Sequence, residues 1–153
     1  MKRIAVFPGS FDPFTIGHES IIRRSMDLFD EIIIAIGVNS QKQSLYSLEQ
    51  RLNWIQKTFD QESKIRVDSY QGMTIDYCTK SNAKYILRGL RTSSDFEFER
   101  GIAQMNYAMQ KDLETVFIIS SPEHSAINST IVRDIIRNGG NAQQFVPKEI
   151  ELI

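Results

Sequence analysis

The chain has 153 residues, 41% of them hydrophobic and 24% charged, with 18 basic and 19 acidic side chains for a net charge of −1. That length suits a single domain, residues 1–153, whose core needs no disulfide or structural metal, and no run approaches the roughly 18 apolar residues of a membrane helix. A near-neutral balance gives no electrostatic case for gripping a nucleic-acid backbone, so neither nucleic acid nor a membrane is expected as a partner.

The chain opens with a short apolar run at residues 4–7, too brief for a secretory leader and without a small-residue cleavage site, which points to the cytoplasm. Residues 2–7 read as a first strand. The segment Phe7-Pro8-Gly9-Ser10-Phe11-Asp12-Pro13-Phe14-Thr15-Ile16-Gly17-His18 then forces a turn, because its prolines and glycines cannot continue a strand. From Glu19 on, Ile22, Met26 and Phe29 recur at helical spacing, which places Gly17 and His18 at the first turn of a helix. Free backbone N–H groups and about half a positive charge gather at such a terminus and favour an anion. His18 adds a donor and, when protonated, a full charge. The segment is a phosphate grip.

Further strands are expected at 31–38, 64–70, 84–87 and 115–119, rich in Ile and Val, each followed by a helix. The second helix is the clearest: Leu48, Leu52, Ile55 and Phe59 keep a 4, 3, 4 spacing, and Ser47 with Gln50 makes a capping box. Trp54 beside that stripe reads as core or subunit contact, and Cys78, the single cysteine, as a small buried hydrophobe. A third helix runs over 73–81 and a fourth over about 95–111, with Ser93 or Ser94 as N-cap. A fifth begins near Ser129 and stops at Asn138-Gly139-Gly140. The tail, 143–153, reads as packing or assembly. The alternation predicts an α/β fold: a Rossmann-like, doubly wound, five-stranded parallel sheet with helices on both faces.

In such a sheet ligands bind beyond the carboxyl ends of the strands. Ser10 and His18 follow the first strand, Lys42 the second, Thr74 the third, Arg88 and Arg91 the fourth, and Ser129 and Thr130 the fifth. Any one of these is an ordinary polar loop residue. Together, two arginines, a lysine, a histidine and a Ser/Thr helix start on one rim predict a strong local positive potential, suited to a ligand with several phosphates. The duller reading pairs Arg88 and Arg91 with Asp95 and Glu99 as surface ion pairs.

The same residues carry a resemblance. Thr15-Ile16-Gly17-His18 matches the (H/T)xGH motif of a nucleotidyltransferase superfamily, and Phe7 to Pro13, Arg88-Gly89-Leu90-Arg91, Asp95-Phe96-Glu97-Phe98-Glu99 and Ile127-Asn128-Ser129-Thr130 stand in the order seen in bacterial phosphopantetheine adenylyltransferases, which the chain resembles over nearly its whole length. Asn128 departs from that family's run of serines. The resemblance implies transfer of the adenylyl group of ATP to 4'-phosphopantetheine, giving dephospho-coenzyme A and pyrophosphate, with Mg²⁺ accompanying ATP, coenzyme A as a candidate inhibitor and a homohexamer as the assembly. It implies that His18 stabilises the transition state with Ser10, Lys42 and Arg91 as further catalytic groups. By the same resemblance ATP is contacted by Ser10, Phe11, His18, Gly89, Leu90, Arg91, Glu99, His124, Ser125, Ala126, Ile127, Asn128, Ser129 and Thr130, and the acceptor by Ser10, Lys42, Thr74 and Arg88. No metal-ligating set is expected. The rival readings are a nicotinamide mononucleotide adenylyltransferase, a cytidylyltransferase, and a nucleotide sensor without chemistry.

Overall fold

The computed structural model describes residues 1–152; Ile153, the end of the predicted tail, lies outside them. Five parallel strands, β1 (Ile4–Gly9), β2 (Glu31–Gly37), β3 (Ile65–Tyr70), β4 (Tyr85–Leu90) and β5 (Glu114–Ile119), line up in the order β3-β2-β1-β4-β5. The order reverses between β1 and β4, which opens a crevice at their carboxyl ends. Alternation along the strands supplies two cores: Ala5, Phe7, Ile32, Ile34, Ile36 and Leu87 face one side, and Val6, Ile33, Ala35 and Ile86 the other. Helices α1 (Ile16–Ser25) and α2 (Leu48–Thr58) cover the first side through Ile21, Ile22, Trp54 and Ile55. Helix α3 (Thr74–Lys80) covers the second with Ile75, Tyr77 and Cys78. Trp54 and Cys78 are core residues, as expected, and Val146 and Ile150 of the tail join the first core.

Local physics moves several predicted boundaries. Helix α1 starts at Ile16, which puts Gly17 and His18 in its first turn as expected, because Thr15 caps it by accepting from the His18 N–H. The expected capping box at Ser47 forms by half, Ser47 accepting from Gln50 N, whereas the reciprocal box occurs at Thr15 and His18. Helix α4 (Ser93–Met109) takes Thr92 as its cap rather than Ser93 or Ser94. Strand β4 runs three residues past its predicted end at Leu87, so Arg88 lies in the strand and not in the connection after it. Helix α5 (Ser129–Arg137) begins and ends as predicted, with Gly139 at φ 80° past its last turn. Helix α4 buries none of its residues: it rests on β5 through the Phe96 and Phe117 rings, while Phe98, Ile102, Met105 and Met109 form an exposed apolar stripe at 4, 3, 4 spacing.

Candidate active site

A cavity of about 330 Å³ opens over the ends of β1 and β4, walled by the starts of α1 and α5. Its floor is the Phe7–His18 segment. Phe11 adopts a left-handed backbone (φ 49°) that folds its ring back over Phe7, with centroids 5.3 Å apart. Gly9 makes this possible, since a Cβ there would lie 2.8 Å from the Phe11 ring. His18 is thereby enclosed by Phe7, Phe11 and Phe14, at centroid distances of 6.2, 5.0 and 5.2 Å.

That cage sets the histidine's protonation. Burial, reinforced by the positive charges of Arg88 and Arg91, lowers the His18 pKa to about 3, so the ring is neutral at physiological pH and the full charge considered above is absent. Its Nδ1 accepts from the Thr15 backbone N–H at 2.9 Å, which assigns the proton to Nε2. The result is a neutral, oriented donor at a helix N-terminus, a device other enzymes use to polarise a substrate oxygen.

Most of the predicted site residues meet here. Ser10, Phe11, His18, Lys42, Arg88, Gly89, Arg91, Glu99, His124, Ile127, Asn128, Ser129 and Thr130 all line the cavity, whereas Leu90 is buried and Ser125 and Ala126 are exposed beside it without lining it. Thr74 lines a neighbouring cavity of about 300 Å³ that shares Ser10, Arg88 and Glu99 with the first. Its hydroxyl is 2.8 Å from that of Tyr70. Asn128 uses its side-chain carbonyl to cap α5, accepting from Ile131 N at 2.8 Å, so it replaces a serine without loss of the helix start. Ser129 donates to Pro13 O at 2.8 Å and ties α5 to the turn after β1. His124 carries a buried Nδ1 with no hydrogen-bond partner among the described residues.

The expected field needs correction. Arg88 is clamped by Glu99 through two hydrogen bonds of 3.1 and 2.6 Å and donates a third to Pro8 O, while Arg91 pairs with Asp95 at 3.4 Å. The duller pairing is thus realised, yet inside the cavity wall: the Arg88 and Glu99 side chains are only 32% and 12% exposed. The lining cations that form no ion pair among the described residues are Lys42 and Arg133. Arg133 went unpredicted, although its place one turn beyond Thr130 was a readable signal: Nη2 reaches Thr130 Oγ1 at 3.2 Å and Nη1 reaches Asp12 O at 2.9 Å. No group of three or more acidic, His or Cys side chains suited to a metal ion occurs among the described residues.

Fold and site together define a nucleotidyltransferase: a family model described as cytidylyltransferase-like matches residues 6–135. A bifunctional NMN adenylyltransferase/ADP ribose pyrophosphatase from Francisella tularensis superposes with a TM-score of 0.71 at 19% identity, covering 98% of this chain and 46% of that one, which establishes the shared fold. Sequence relatives narrow the class. The phosphopantetheine adenylyltransferase of Flavobacterium psychrophilum is 53% identical over 98% of this chain and 99% of its own, and that of Christiangramia forsetii 51% identical over 96% of each. The chain belongs to the phosphopantetheine adenylyltransferase family.

Proposed function

We propose that this chain joins ATP and 4'-phosphopantetheine to give dephospho-coenzyme A and pyrophosphate, a step in coenzyme A synthesis, by direct in-line transfer. A phosphate oxygen of the acceptor forms the new bond to the α-phosphorus of ATP, and the bond from that phosphorus to the bridging oxygen breaks as pyrophosphate leaves. The nucleophile is already an anion, so no general base is required; positioning and charge stabilisation carry the rate. The observation that supports the reading is the neutral His18, a lining residue of the cavity whose Nδ1 is engaged by Thr15 N and whose Nε2 therefore carries the proton. It meets the charge that builds on the α-phosphate, assisted by Arg91. The Ser129 and Thr130 helix start and Arg133 suit the β- and γ-phosphates, and His124 lines the same cavity beside them. Ser10, Lys42 and Arg88 hold the acceptor phosphate, and Thr74 the arm of the same molecule in the adjoining cavity. Asp95 and Glu99 are committed to arginines, so Mg²⁺ enters with ATP as part of the substrate and no protein cage is assigned to it.

The reading includes a cytoplasmic location and a homohexamer, with coenzyme A competing for the acceptor cavity. No helix among the described residues is long and apolar enough to cross a membrane. The bare stripe Phe98, Ile102, Met105 and Met109 supports assembly, since an apolar helix face of this kind needs a covering surface; Met105→Glu is expected to reduce the mass measured by light scattering. Pyrophosphate release decides the chemistry: ATP with 4'-phosphopantetheine is expected to turn over, and ATP with nicotinamide mononucleotide, or CTP with either acceptor, is not. Turnover with the wrong pair alone overturns the assignment.

A further inference from the structure

Among the described residues, the carboxylate and guanidinium most withdrawn from solvent are those of Asp12 and Arg51, at 3% and 7% exposure. Burying a charge is unfavourable unless it is paired or fully hydrogen-bonded. These two do not form an ion pair with each other or with any other side chain among the described residues. Both spend their charge on backbone. The Asp12 carboxylate accepts from Leu45 N at 2.7 Å and from Tyr46 N at 2.9 Å. Arg51, on the first turn of α2, donates from Nη1 to Ser10 O at 2.7 Å and from Nε to Tyr46 O and Ser47 O at 3.1 and 3.3 Å.

The pattern is a crossed latch. Ser10 and Asp12 belong to the turn after β1, and residues 45–47 close the loop after β2 that carries Lys42. One loop sends a carboxylate into the backbone of the other, and the α2 guanidinium holds a carbonyl from each. Lys42 itself is exposed and makes no ion pair among the described residues, so no such contact at its own tip fixes it. We propose that Asp12 and Arg51 are positioning residues for the reaction, a charged latch that holds the Lys42 loop against the Ser10 turn so that the lysine stands at the cavity before the acceptor phosphate arrives. The assignment of Lys42 to that phosphate rests on the proposed function; the latch between the loops does not. Holding a catalytic group in place beforehand lowers the entropy lost at the transition state.

Two measurements on Arg51→Met, which keeps the stem and removes the fork, test this. Hydrogen exchange is expected to speed up by about tenfold or more at the Leu45 and Tyr46 amides, with the amides of β1 and β2 unchanged, as local release of one loop requires. In a double-mutant cycle, Arg51→Met is expected to cut kcat/KM for the acceptor by about tenfold while the KM for ATP stays within about twofold, and to add almost nothing once Lys42 is alanine. Asp12→Asn, nearly isosteric, carries the same two readouts should Arg51→Met fail to fold, and Arg51→Lys is expected to restore only part of the loss. Unchanged exchange at 45–46, or losses that add with Lys42→Ala, would overturn the latch. Absence of pyrophosphate release by the wild-type chain sinks the functional reading alone, because exchange still decides whether the latch exists.

Discussion

The two walls of the cavity treat charge in opposite ways. On the β4 side, Arg88 and Arg91 are matched by Glu99 and Asp95. Lys42 and Arg133 line the same cavity with no carboxylate partner among the described residues. A paired guanidinium in a half-buried wall keeps its shape and its remaining N–H groups but contributes little net field, whereas a cation without a carboxylate partner contributes its full field, whether its tip is exposed like that of Lys42 or held by neutral oxygens like that of Arg133. The first wall is therefore a template and the second a source of charge. His18 lines the same cavity as a neutral donor.

The largest test removes that donor. His18→Ala is expected to lower kcat by about a hundredfold or more while ATP still binds, as loss of a contact made chiefly in the transition state should; unchanged turnover would sink the role. Next come the two walls. Lys42→Ala and Arg88→Ala are both expected to weaken the acceptor more than ATP, by about tenfold in calorimetric titration. Only Arg88→Ala is expected to lower the melting temperature as well, by about 3 °C or more, because it strands the nearly buried Glu99 carboxylate. Equal thermal effects from the two variants would erase the distinction between template and charge source.

The last test is one of pH. The His18 pKa is about 3 in the folded chain against 6.5 for the free side chain. An unfolded chain takes up that proton as pH falls through about 6.5, while the folded chain resists until about 3. Across that window the unfolded state binds more protons, so acid removes stability; above it the group has no effect. Denaturant melts of His18→Asn are thus expected to flatten between about pH 6.5 and 3 relative to wild type, and His18 should contribute no step to the pH–rate profile between about pH 5 and 8.

Composition, hydrophobic periodicity and turn residues determined much of this protein before any contact was known. The alternation of apolar runs with helical stripes specifies a parallel sheet covered on both faces, because only βαβ crossovers connect parallel strands. The TxGH turn, Arg91 and the Ser129-Thr130 helix start could be read as site elements because backbone amides at helix starts and charged groups beyond strand ends have local signatures, whereas Gly89, Leu90, Ile127 and Asn128 were legible only through the family resemblance. What the chain order could not convey is who neutralises whom. That Glu99 turns back onto Arg88, that Asp12 reaches Leu45 and Tyr46, and that burial with the charges of Arg88 and Arg91 leaves His18 neutral all depend on distances set by how strands, turns and helices pack. Electrostatics falls off with distance in space and burial is a property of neighbours. Residue types and their order thus name the donors, and only the folded sheet assigns their charge.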